Sequence, residues 1–250
     1  MDILNDFLNI NKETLKKTFI SLKDNWVIIF TGIVYTILTT VIFTTIFTLF
    51  TGVLSLIAGI IAAVVSAALI SNYLYLLYKV INYGKIKFQD FKDGFTYFLR
   101  KVYGVFFFAW IGSYLLSMVG RTIGPNIIVL NAIISLSILV LLNALPETIY
   151  LKSLDPMDSI MYSLDFMKEN WVNWLIPNML LYLSIYIVTG KIITNLFATS
   201  ISGGMFFGGA NIIVYLIGQL LFSFTMIYRG HLYKLLSTST RRKRMYMRKF

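Results

Sequence analysis

Six apolar stretches, at roughly residues 26–50, 53–78, 103–120, 125–146, 171–189 and 208–228, constrain this chain more than any other feature of it. Each approaches or exceeds the length of about 20 apolar residues that a helix needs to cross a bilayer. All eleven acidic residues lie between or beyond them, and so do the Lys and Arg residues. A soluble domain of 250 residues would interleave charge with its core positions. Here 58% of residues are hydrophobic and 13% are charged, against roughly 25% charged in soluble domains, and the mean hydropathy is +0.76. The expected fold class is therefore an all-α integral membrane protein: six transmembrane helices arranged as three hairpins, each preceded by an interfacial amphipathic helix.

Charge placement orients the spans. Cytoplasmic segments are enriched in Lys and Arg. Four basic residues precede the first span, six follow the second, two follow the fourth and eight follow the sixth, together 20 of the 22. Only Arg121 and Lys191 fall on the opposite side. This predicts a multi-pass protein of a prokaryotic cell (plasma) membrane with both termini cytoplasmic. Residues 1–25 are polar and amphipathic with no legible cleavage site, so the first span is expected to serve as the targeting signal. The pI of 9.7 is assigned to this orientation and to anionic headgroups at the inner face, worth about 1 kcal/mol per basic residue; no nucleic acid is expected as partner. The basic tail, residues 237–250 with Arg241-Arg242-Lys243-Arg244, reads as a lipid-facing anchor or as a docking site for a cytoplasmic protein. A homo-oligomer or a membrane partner also remains open.

An internal pattern recurs. Leu15, Phe19, Leu22 and Trp26 precede span one; Phe91, Phe95, Phe98 and Val102 precede span three; Ile160, Leu164, Met167 and Trp171 precede span five. The spacing puts each set on one helical face, as expected of helices lying in the headgroup plane. Leu22-Lys23-Asp24-Asn25-Trp26 and Met167-Lys168-Glu169-Asn170-Trp171 agree in character position by position. The chain thus reads as one membrane domain, 1–250, of three pseudo-repeats at 10–80, 86–148 and 154–232. Asp155 is a candidate N-cap, with Pro156 in the first helical position and Asp158 in the first turn.

The stretch Leu145-Pro146-Glu147, then Asp155-Pro156-Met157-Asp158-Ser159-Ile160 through Ser163 and Asn170-Trp171, resembles prokaryotic polytopic membrane proteins related to the membrane domain of glycerophosphoryl diester phosphodiesterases. The likeness covers residues ~140–185. Ser159 and Ile160 stand where that family usually shows a small residue. The resemblance implies an architecture and no reaction, since that membrane part carries no established catalytic residues.

Candidate functional residues are few. Thr36, Thr40, Thr44 and Thr48 form an i, i+4 row in span one. It could line a hydrated path, or pack against Ser55, Gly59, Ala62 and Ser66 of span two as a close hairpin; the packing reading is preferred. Asn131, Ser135 and Asn143 of span four are candidates for substrate contact or helix–helix glue. Glu147 at the cytoplasmic end of that span could take a proton or cation, and otherwise pairs with Lys152 or Lys168. Gly203, Gly204, Gly208 and Gly209 suggest a re-entrant element or a sharply turned outer loop. Cysteine is absent and His231 is the sole histidine, so no thiolate or multi-histidine metal site, cofactor or catalytic constellation is expected, and the chain does not read as an enzyme. Transport or lipid and small-molecule handling is the first functional reading. A non-catalytic scaffold or accessory subunit is the second, and a permease subunit of an ATP-driven exporter the third.

Because the chain lacks cysteine, single cysteines report orientation directly. An impermeant thiol reagent added to intact cells is expected to label Ser202→Cys and to spare Ser239→Cys. Labelling at position 239 from outside contradicts the topology.

Overall fold

The computed structural model of the protein describes residues 2–123, 127–201 and 212–238, and among these there is no strand. The helices are α1 (Asp2–Asp24), α2 (Ile28–Leu49), α3 (Ser55–Tyr83), α4 (Phe88–Tyr97), α5 (Leu99–Ile123), α6 (Ile127–Leu141), α7 (Leu145–Leu151), α8 (Pro156–Thr189) and α9 (Ile212–Thr238), with a 3-10 turn at Gly52–Leu54. Among the described residues, six helical stretches are long and apolar enough to cross a membrane. The helices run past the charge-free sequence at several ends. Glu147 and Arg229, each the first residue beyond an apolar run, are thereby drawn into helices.

α9 is the central element, with 61% of its apolar window buried, whereas the span containing α6 and α7 has 6% buried. α6 itself buries no side chain, and Ile128, Val129, Ile133 and Leu136 are all exposed. A helix apolar on every face and unburied needs a non-aqueous surround, which suits lipid. One core gathers around Tyr73, Leu77, Tyr150, Phe222 and Ile227; a second unites Ile10, Trp174, Leu232 and Tyr233.

α1 docks by its polar side. Ile10, Thr14, Thr18 and Asn25 are buried, while Leu15, Phe19 and Trp26 are exposed. The Thr14 and Thr18 hydroxyls donate to the carbonyls of Ile10 and Thr14 at 2.8 Å, which neutralises them for burial. Of the apolar stripe read from the sequence, Leu22 is partly buried against the core and the Phe19 ring meets Phe224 at 4.9 Å, while most of Phe19 and Trp26 stays exposed. Asn25 holds the end of α1 against the α3–α4 turn. Its Nδ2 donates to the Gly84 carbonyl at 2.8 Å, and its Oδ1 accepts from the Ile86 N–H at 2.8 Å. Gly84 has φ +77°, the left-handed conformation that ends a helix most cheaply at glycine.

α4 is fixed to α3 by side chains reaching its backbone. Ser71 Oγ donates to the Gly94 carbonyl at 2.7 Å and accepts from the Phe98 N–H at 2.8 Å. Asn72 Nδ2 donates to the Phe91 carbonyl at 2.6 Å. Phe98 and Val102 are buried and Phe91 and Phe95 partly so, so this stripe, more than that of α1, faces inward. The third amphipathic stretch is not a separate helix: α8 runs unbroken for 34 residues, about 51 Å at 1.5 Å per residue. Asp155 precedes it with extended backbone but makes no side-chain cap bond.

Candidate functional site

Two features stand out, a buried charge network and a hydroxyl-lined cavity. The network joins α6–α7, α8 and α9. Arg229 and Glu147 side chains are each 2% exposed. Arg229 Nε donates to Glu147 Oε1 at 2.7 Å, and Nη2 to Glu147 Oε2 at 2.9 Å. Nη2 also donates to the Asn143 carbonyl at 2.6 Å, and Nη1 to Asn143 Oδ1 at 3.1 Å and to the Tyr182 hydroxyl at 2.9 Å. A guanidinium has five N–H groups, and five acceptors meet them. The Trp174 indole N–H donates to Asn143 Oδ1 at 2.9 Å, and the guanidinium carbon lies 5.1 Å from the Trp174 ring, close enough for a cation–π attraction. Next along α9, Gly230 leaves room for Ile81 and the Tyr150 hydroxyl, either of which a Cβ there would strike.

This arrangement corrects the partner expected for Glu147. It pairs with Arg229 and with neither Lys152 nor Lys168, because helix α9 continues inward past the apolar run and carries Arg229 to it. Arg229 in turn is buried, although the sequence placed it among the headgroup-facing basic residues. Asn143 is brought to the network as helix glue. Its Nδ2 donates to the Leu139 carbonyl at 3.2 Å and its other polar atoms face Arg229 and Trp174. Asn131 and Ser135 are exposed on α6, away from it. Tyr182 and Trp174 carried no sequence signal beyond their type. Arg229 did carry one: it follows a long charge-free stretch, and Glu147 of opposite sign ends another run on the same side.

The cavity, about 510 Å³, lies between α2, α3, α5 and the irregular connection after α8. Thr36, Thr39 and Thr40 line it from α2, Ser66 from α3, and Thr194, Asn195, Thr199 and Ser200 from the connection. Tyr35, Phe43, Leu69, Ile70 and Phe106 also contribute to the walls, and among the described residues no charged side chain lines it. The connection is held in place: Thr36 Oγ1 and Ser200 Oγ are 3.2 Å apart, and the Ile201 N–H donates to Gln219 Oε1 at 3.3 Å. Ile201 is buried and the Phe197 ring meets Phe106 edge-on at 5.8 Å. Gly190, Lys191, Ile192, Thr194 and Asn195 of this connection are exposed, and residues 196–200 are partly buried.

The threonine row divides. Thr36, which is buried, and Thr40, which is exposed, line the cavity, while Thr44 and Thr48 are exposed and do not. Thr40 and Thr48 donate back to the carbonyls of Thr36 and Thr44 at 2.9 Å. The expected close hairpin does not run through Gly59, around which nothing lies within 4 Å of a Cβ position. Ala58 and Ala62 are the buried small residues of that stretch. Tyr35 and Asn72 join α2 to α3 instead, the tyrosine hydroxyl donating to Asn72 Oδ1 at 2.5 Å. Gly203, Gly204, Gly208 and Gly209 lie outside the described residues. His231 Nε2 is 2.9 Å from Ser21 Oγ, joining α9 to α1. Among the described residues no group of three His, Asp or Glu side chains comes together that could hold a metal ion.

No protein-family model matches the chain, and neither a curated protein nor a solved structure matches it.

Arg229→Met should cost about 3–5 kcal/mol of stability, the usual effect of leaving one partner of a buried pair uncompensated. Glu147→Gln, which leaves the Arg229 cation without a counterion and turns one acceptor into a donor, should cost a similar amount. Unfolding of the purified protein in mild detergent measures both; an unchanged midpoint for Arg229→Met contradicts the burial of the pair.

Proposed function

We propose that this protein transports, or otherwise handles within the membrane, an uncharged hydroxyl-bearing solute or lipid headgroup, which binds in the cavity between α2, α3, α5 and the connection after α8. The observation that carries the reading is a cavity of about 510 Å³ whose wall combines hydroxyl and amide side chains with apolar ones and, among the described residues, carries no charge. Bringing an unpaired ion into such a site would cost far more than a neutral hydroxyl compound, whose hydrogen bonds the wall can replace. The hydroxyls offer both donors and acceptors, which matches glycerol-like or sugar-like groups better than a phosphate. The distribution of basic residues supports a cell membrane location with both termini cytoplasmic.

A scaffold role is the second reading. It draws support from α1 and the turn after it, whose exposed Leu15, Phe19 and Trp26 lie near Lys12, Lys16 and Lys23 in the sequence. That face suits an anionic membrane surface, and it leaves the cavity without a purpose.

Hydration of the cavity separates the two. In reconstituted vesicles, Thr39→Cys is expected to react with an impermeant thiol reagent at least about tenfold faster than Val41→Cys, since Val41 is 58% exposed on the outward side and lies in lipid on this reading. Equal slow rates contradict the proposal and favour a solid bundle.

A further inference from the structure

Tyr35 borders two hollows. One is the hydroxyl-lined cavity. The other is a crevice of about 270 Å³ between α2, α3 and α4, walled by Val27, Phe30, Val34, Leu38, Phe91 and Phe95. Thr31 and the Tyr35–Asn72 pair are its polar groups. The tyrosine is 3% exposed. Its ring sits 5.9 Å edge-on from Tyr73 and its hydroxyl is bonded to Asn72, so it forms the partition where α2 meets α3. On one side of this partition the wall is hydroxyl-rich. On the other it is hydrocarbon, and Val27, Phe30 and Val34 are 44%, 44% and 52% exposed at its mouth, which places that mouth towards lipid.

We infer that the two hollows form one site for a neutral amphipathic lipid of the diacylglycerol type, with its hydroxyl-bearing head in the cavity, a chain in the crevice, and Tyr35 as the closing element between them. The inference rests on the functional reading above and narrows its ligand. A polar hollow and an apolar hollow that share one wall match the two ends of such a molecule. The absence of charge from the described residues of both linings matches a head without phosphate. An apolar crevice open to lipid gains from each CH₂ it removes from water, and little from one taken from lipid. Selectivity must therefore come from the head and from the partition. Tyr35 is suited to that task, because both linings share it and its hydroxyl bond to Asn72 ties α2 to α3 at the boundary between them.

The test uses single-cysteine Thr39→Cys protein in phosphatidylcholine vesicles containing a diacylglycerol with a photoreactive diazirine near one chain end. Irradiation should place adducts on peptides carrying residues 27–38 and 88–98. In the adduct-bearing fraction the thiol at position 39 should react several-fold more slowly than in the rest, because the head fills the cavity. Tyr35→Phe keeps the ring and drops the bond to Asn72. It should raise adduct yield about fivefold, the population shift expected when a closed state loses one hydrogen bond. A phosphatidylcholine with the same diazirine chain should give adducts on outward faces without protecting the thiol at position 39. Rapid labelling at position 39 with neither adducts in the crevice nor protection overturns the lipid inference and leaves the solute reading standing. Slow labelling at position 39 in every sample overturns both. Equal yields in Tyr35→Phe and the parent remove Tyr35 from the closing role.

Discussion

A fully buried guanidinium–carboxylate pair sets the terms on which the rest of this bundle assembles. Between apolar helices in lipid there is no hydrophobic drive to associate, so packing and interhelical hydrogen bonds must select the partners. Arg229 reaches Glu147 on α7, Asn143 at the end of α6 and Tyr182 on α8. One side chain of α9 thus decides the neighbours of three other segments. Its five donors are all matched, which is the condition under which a buried charge is tolerable. Either residue left alone at 2% exposure would cost more than most packing contacts in the protein can offset.

The consequences divide the molecule. Around the pair, Trp174, Tyr150, Tyr233 and Leu232 are almost fully buried, and α1 closes over α9. Away from it, α6 faces outward, and the connection after α8 reaches α2 through Thr36 and α9 through Gln219. The cavity lies in this second region. A cavity set apart from the buried pair suits the ligand site proposed above, since ligand-binding segments come from the less stable parts of a structure. The pair itself offers no free donor, and its role in this account is to position helices.

The sequence carried much of the architecture. Charge-free runs locate the six long apolar helices because lipid tolerates little else, and Gly84 and Gly190 end α3 and α8 at positive φ. The stripe of α4 is legible because its packing is apolar: Phe98 and Val102 turn inward as the period predicts. The stripe of α1 is only partly informative, because there the most deeply buried positions include Thr14, Thr18 and Asn25, while Leu15, Phe19 and Trp26 stay largely exposed. In a membrane setting a hydrophobic stripe names the face that leaves water, and both lipid and protein satisfy that. Glu147 and Arg229 were each visible as the first charge after an apolar run. Their pairing was not, since it depends on how far α9 extends past its run. The threonine row was visible as a row, but its division between Thr36 and Thr40 on one hand and Thr44 and Thr48 on the other follows from where the connection after α8 returns to the bundle, and no period in α2 records that.

The most direct measurement of the central claim is a double-mutant cycle at the buried pair. Unfolding stability is compared for the parent, Arg229→Met, Glu147→Met and the double variant in the same mild detergent. A paired, water-excluded bridge predicts strong coupling: each single change costs about 3–5 kcal/mol, and the double costs less than their sum by at least about 1.5 kcal/mol. Costs that add to within about 0.5 kcal/mol would show that the two side chains act independently, and would remove the pair as the element that selects the neighbours of α9.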